Sequence, residues 1–135
     1  MRTRLREDIT AELLREARLV GTEWHSGIDA DSLANIAGRA LTHRVTLILF
    51  DGTVIGDSEF DPPALERLEN HARRPEVRQA MQTGDGSSVR ISPSAGDEEL
   101  YAAVKVSMGV ARVSVSTRTQ ELLVQRMQQD ALILG

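Results

Sequence analysis

Cysteine is absent from all 135 residues, which excludes disulfides, thiolate nucleophiles and cysteine-based metal sites and fits a reducing or an oxidising compartment equally. Aromatic residues reach only 3%, too few to build stacking platforms for bases or sugars. No excess of basic residues exists either. The formal net charge is -4 and the pI is near 5.4, so no general electrostatic case for nucleic-acid binding can be made. No apolar run approaches the roughly 20 residues that cross a bilayer. What is present, 41% hydrophobic and 27% charged residues in 14.8 kDa, is ordinary for one domain with a real core.

The stretch 45–58 admits two readings. An apolar run ending in Asp51-Gly52-Thr53 resembles the haloacid-dehalogenase phosphotransferases, whose nucleophilic aspartate lies two residues before the Asp of that motif. That position is Leu49, which has no carboxylate to attack phosphorus or hold magnesium. The alternative is a β-hairpin, with Asp51-Gly52 supplying the positive φ angles of a tight primed turn. The missing nucleophile favours the hairpin.

Around it the pattern alternates between helix and strand. Leu5, Ile9, Leu13, Ala17, Val20 and Trp24 recur at spacings of three and four, predicting a helix over about 4–24. A second helix follows with Leu33, Ile36, Ala37, Ala40 and Leu41 on one face and Asp29 or Asp31 as N-cap. Strands are predicted over 45–50 and 53–58. Pro62-Pro63 and Pro75 each open a short helix, the second ended by Gly84 and Gly86. Period-two alternation then marks strands at 87–92, 100–106 and 110–116, with a turn-rich loop over 93–97. Thr117 with Gln120 forms a capping box for a last helix carrying Leu123, Met127, Ala131 and Leu134.

This order describes an α+β, PAS-like fold: a five-stranded antiparallel sheet, a long N-terminal helix on one face, short helices between strands 2 and 3, and a C-terminal helix. The residues 11–19 (Ala-Glu-Leu-Leu-Arg-Glu-Ala-Arg-Leu), 45–58, 69–77 (Glu-Asn-His-Ala-Arg-Arg-Pro-Glu-Val), 84–92 (Gly-Asp-Gly-Ser-Ser-Val-Arg-Ile-Ser) and 100–104 are similar, in the same order, to segments of the extracytoplasmic sensor domain of phosphate-regulon-type sensor histidine kinases. The resemblance implies a noncatalytic signal-input domain spanning 1–135. Residues 1–24 would form a membrane-proximal helix and 118–135 a helix leading toward a second transmembrane span. It further implies a homodimer through the N-terminal helix, attachment to the membrane by flanking spans, and an unknown small-molecule or protein signal. No phosphoacceptor helix or ATP-binding domain is present, so kinase chemistry would belong to another region. Arg2, Arg4 and Arg6 depart from the usual basic excess on the cytoplasmic side. Two other readings stay open: a cytoplasmic PAS-like or profilin-like protein-interaction domain, and a small phosphatase built around Asp51 and Asp57.

Sites within the chain are sparse. His25, His43 and His71 lack ligand spacing for zinc. Asp57, Glu59 and Asp61 alternate like a calcium loop, but Pro62 and Leu68 stand where glycine and glutamate are needed, so they read as a solvated strand end. Gly84-Asp85-Gly86-Ser87-Ser88 lacks the lysine and helix of a phosphate loop and reads as a turn. No cofactor or metal is expected. The candidate ligand face is Arg90, Tyr101, Lys105 and Arg112, placed by alternation beside the small residues Ala103 and Ser114 under a lid over 61–81. Against it stands internal pairing of these cations with Asp57, Glu59 or Glu76. Leu14 and Leu19, off the main stripe of the first helix, are the candidate dimer contacts.

Overall fold

A computed structural model of the chain describes residues 3–91 and 97–134, with the backbone alone described at residues 3, 120, 121 and 132–134. The predicted loop over 93–97 lies, but for Asp97, outside the described residues. So do Ser92 and the side-chain half of the Thr117–Gln120 capping box.

Helix α1 (Thr3–Glu23) is followed by α2 (Ala30–Leu41), β1 (Arg44–Leu49), β2 (Val54–Asp57), α3 (Pro62–Glu66) and α4 (Pro75–Thr83). Three long strands, β3 (Asp85–Ile91), β4 (Glu98–Lys105) and β5 (Gly109–Ser116), precede α5 (Thr117–Leu134). The sheet is antiparallel throughout, in the order β2-β1-β5-β4-β3. This is the predicted PAS-like architecture.

The α1 stripe packs as its spacing requires. Leu13, Ala17, Val20 and Trp24 are buried against Leu100, Ala102, Val104, Ala111 and Val113, the inward members of β4 and β5. Helix α2 joins the same layer, with the predicted Leu33, Ala37 and Leu41 packed against the core beside a row of smaller residues. Ala30, Ala34 and Gly38 are its buried residues, while Ile36 is 59% exposed. Small residues win here because the helix lies almost on the hairpin: a Cβ at Gly38 would stand 2.5 Å from Ser58 Cβ, and one at Gly56 would stand 2.7 Å from the Ala30 carbonyl oxygen. Asp29 is the N-cap, its carboxylate accepting from the Ser32 N–H at 3.0 Å.

The β1–β2 hairpin corrects the primed turn. Gly52 alone takes positive φ, at 91°, and the Asp51 carboxylate accepts the Thr53 N–H at 2.9 Å. The Leu49 N–H bonds to the Thr53 carbonyl, closing a longer loop, and a bulge follows between Leu47 and Ile48. On the far face of the sheet, α3 and α4 cover a second, smaller core of Ile48, Val54, Val77, Ala80, Ala103 and Val110. Asp61 caps α3, and Pro75 opens α4.

Candidate functional site

Beside that small core, the same face of the sheet carries a buried row of polar side chains crossing all five strands. Its positions follow from register. Thr46 of β1 faces Asp57 of β2 on one side and Arg112 of β5 on the other. Arg112 lies opposite Ala103 of β4, Tyr101 of β4 is paired with Ser88 of β3, and Arg90 with Glu99. The small Ala103 and Ser114, both buried, make room for the long side chains between them.

Glu76, in the first turn of α4, reaches down onto this row and is fully buried. Its Oε1 accepts from Arg90 Nη1 and from Ser88 Oγ (2.7 Å), while its Oε2 accepts from Arg90 Nη2 (3.3 Å) and Arg112 Nη1 (3.0 Å). Four donors thus converge on one planar carboxylate, all of them from the sheet. Burial would raise this carboxyl, but the Arg90 hydrogen bonds, the Arg112 charge and the Ser88 hydroxyl outweigh it and hold it at about 2.

Tyr101 lies between the guanidiniums. Arg90 Cζ sits 3.9 Å from its ring centroid and Arg112 Cζ 4.8 Å, and its hydroxyl donates to Glu99 Oε2 at 2.6 Å. Burial and that hydrogen bond to Glu99 both push the phenol pKa up. Arg112 is 1% exposed; burial and the neighbouring Arg44 charge depress its pKa, with the Glu76 carboxylate opposing them. Its Nη2 donates to Thr46 Oγ1 at 3.2 Å, and among the described residues its Nε has no partner. At the other end of the row, Thr46 Oγ1 donates to Asp57 Oδ2 at 3.0 Å, and Arg44 grips the Asp57 carboxylate through Nε (3.1 Å) and Nη2 (2.9 Å). Asp57, expected as a solvated strand end, is fully buried, because the β2 bulge turns it inward beside Thr46.

Of the four predicted ligand-face residues, Arg90, Tyr101 and Arg112 are brought together and Lys105 is not. Lys105, at the far end of β4, is exposed, with Nζ 5.9 Å from the Phe50 ring. It lines a separate cleft of ≈ 540 Å³ with Arg18, Gly21 and Gly84. Sequence reasoning passed over Arg44, which precedes its strand's alternating run, and Thr46, which reads as an ordinary strand residue. Glu76 was visible only as a possible counter-ion. His71, a lone histidine, is 5% exposed, with Nδ1 donating to the Glu69 carbonyl at 2.8 Å. Burial and the Arg112 charge lower its pKa to about 4. His43 lies on the opposite face, with Nδ1 2.7 Å from Glu16 Oε1. No group of three metal-binding side chains occurs among the described residues.

A second geometric feature concerns the helices. The guanidinium of Arg6, in the first turn of α1, lies 3.6 Å from Glu98 at the start of β4. Thr117, the first residue of α5, donates to the Glu98 carbonyl at 3.3 Å. At its other end α1 reaches Val106, just past β4. Helix α1 therefore begins, and α5 departs, at the same end of the sheet. Leu122, Leu123 and Met127 of α5 are 56%, 47% and 69% exposed, so the helix leaves the domain body after its root. No helix among the described residues is long and apolar enough to cross a membrane.

No protein-family model matches the chain, and no curated protein matches it. Solved structures do. The ligand-binding domain of the Campylobacter jejuni chemoreceptor Tlp3 in complex with 4-methylisoleucine superposes with a TM-score of 0.65 at 11% identity, over 84% of this chain and 53% of that one. The sensory domain of Tlp3 with isoleucine bound gives 0.65 at 12%, over 87% and 56%. The Tlp3 domain with L-valine gives 0.66 at 13%, over 87% and 56%. The chain thus spans about half the length of the Tlp3 chains it matches. At such identity the likeness is one of fold.

Proposed function

We propose that this chain is the extracytoplasmic signal-input domain of a membrane receptor, noncatalytic in itself. The carrying observation is that α1 enters and α5 leaves at the same end of the sheet, both tied to Glu98. A domain whose first and last helices continue into one membrane needs that arrangement, and a free-standing domain does not. The shared fold with chemoreceptor sensory domains supports the same reading. The sequence resemblance to phosphate-regulon-type sensor kinases supports a histidine kinase as the output region, with phosphoryl transfer carried out elsewhere in that protein.

In this reading the sheet face bearing Arg90, Tyr101 and Arg112 receives the signal, with Lys105 outside it. Strand β5 carries the change, since Arg112 lies four residues before Ser116 and α5 starts at Thr117 without a linker. Two copies pair through α1, where Leu19 is 59% exposed while Leu14 packs on the core. The test is a hybrid receptor, with this chain placed between two transmembrane spans ahead of a histidine-kinase output. Kinase output is expected to depend on the domain and to become insensitive to Glu76→Gln when four glycines are inserted after Thr117. Output unchanged by that insertion, with Glu76→Gln still effective, would contradict the reading.

A further inference from the structure

The donors that converge on Glu76 belong to a different part of the fold from Glu76 itself. Ser88 and Arg90 project from β3 and Arg112 from β5, whereas the carboxylate arrives from α4. The sheet alone is therefore a receptor for a planar carboxylate: a bidentate guanidinium, a second guanidinium donating through Nη1, and a hydroxyl. A side chain that merely anchored α4 would need one such partner. Arg44 has carboxylates of its own, Asp57 and Glu59, so that Arg90 and Arg112 are left sharing the single carboxylate of Glu76. Arg112 is buried, and its Nε has no partner among the described residues.

Resting on the input-domain reading above, we propose that the ligand of this face is a small carboxylate and that Glu76 is a tethered occupant holding its place in the unliganded domain. Exchange needs only a turn of the Glu76 side chain, because α4 stays seated through Val77 and Ala80. The way in is past Arg90, whose side chain is 28% exposed where Glu76 is fully covered. An intramolecular carboxylate competes at an effective concentration on the order of millimolar or above. Simple carboxylates therefore bind the native chain weakly, and a natural ligand must add contacts of its own, for which the Tyr101 ring and the Glu99 carboxylate are the adjacent groups.

Glu76→Ala removes a methylene and a carboxylate, an acetate's worth of atoms. Acetate is expected to bind this variant at least about 10-fold more tightly than it binds the native chain, read by calorimetry and by a rise in melting temperature, because the tethered competitor is gone. Acetamide, the neutral isostere, should do neither, and adding Arg90→Gln should abolish the acetate effect. Should Glu76→Ala not fold, the native chain is titrated with acetate to high concentration while the guanidinium NMR signals of Arg90 and Arg112 are followed. A saturable shift with acetate and none with acetamide supports the proposal. Equal response to acetate and acetamide, or no response to either, overturns it. Failure here is distinguishable from failure of the receptor reading. Acetate bound without any effect on the hybrid receptor leaves the carboxylate site and removes its signalling role, whereas a responsive hybrid with no acetate binding does the reverse.

Discussion

Two buried residues, Glu76 and His71, tie stability to pH in the same direction. Glu76 is stabilising once ionised: its carboxyl is held at about 2, well below its ordinary value near 4.5. The contribution is complete above about 4.5 and is lost as the pH falls from there toward 2. Replacing Glu76 by Gln leaves Arg90 and Arg112 without their counter-charge, and a broken buried pair costs about 3–5 kcal/mol. Urea denaturation of Glu76→Gln at neutral pH should show a loss of that size. His71 acts in the same direction at higher pH. Its folded pKa of about 4 lies below the ordinary 6.5, so the unfolded chain takes up the proton first. Stability should therefore fall as the pH drops from about 6.5 to 4, by at most about 3 kcal/mol from this group. His71→Asn keeps a donor for the Glu69 carbonyl and removes the titration. Its stability should be flatter across that window, and a parallel fall in both proteins would show that other groups are responsible.

At the scale of elements, α4 delivers Glu76 because β3 lets it come close. Gly86 lies beneath the helix, where an added Cβ would collide with the Glu76 carbonyl oxygen and stand 2.8 Å from Gln79 Cβ and 3.0 Å from the Ala80 nitrogen. Most of those atoms are backbone, so the helix must move. Gly86→Ala should lift α4, lowering stability by about 2 kcal/mol or more and speeding amide exchange over 75–83. Unchanged exchange there would place the adjustment in the strand instead.

Legibility from the sequence divides along these same elements. The α1 stripe and the alternation in β4 and β5 were readable because one face of each is packed on a continuous apolar layer, and burial then dictates period. In helix α2 the predicted Leu33, Ala37 and Leu41 do pack on the core, but the closest contact is made by Ala30, Ala34 and Gly38, small residues whose value is closeness to the hairpin and not apolar area. The candidate face was readable as a face. Alternation places Arg90, Tyr101 and Arg112 on one side of the sheet, but it also places Lys105 there, and only the length of β4 carries Lys105 away from the others. That Glu76 would fill the face depends on how far α4 slides over β3, which Gly86 decides and no periodicity encodes. Arg44 and Asp57 became a pair through a bulge that shifts register, which likewise leaves no pattern in the residues.

In the whole molecule, the polar row and the exit helix are joined by short links: Arg112 and Ser116 lie on one strand, Tyr101 bonds to Glu99, and the Glu98 carbonyl holds Thr117. The absence of cysteine makes this directly measurable, because two introduced thiols can be labelled without background. Spin labels at Glu7→Cys on α1 and Gln125→Cys on α5, both exposed positions, report the separation of the two helices at the end they share. Pulsed dipolar spectroscopy is then run on this pair with Glu76 present and with Glu76→Gln. Breaking the buried pairing should move or broaden the distance distribution by about 2 Å or more, the scale on which helices shift in signalling domains. Superimposable distributions, in a variant whose Arg90 and Arg112 signals show that the pairing is broken, would contradict the claim that this face speaks to α5.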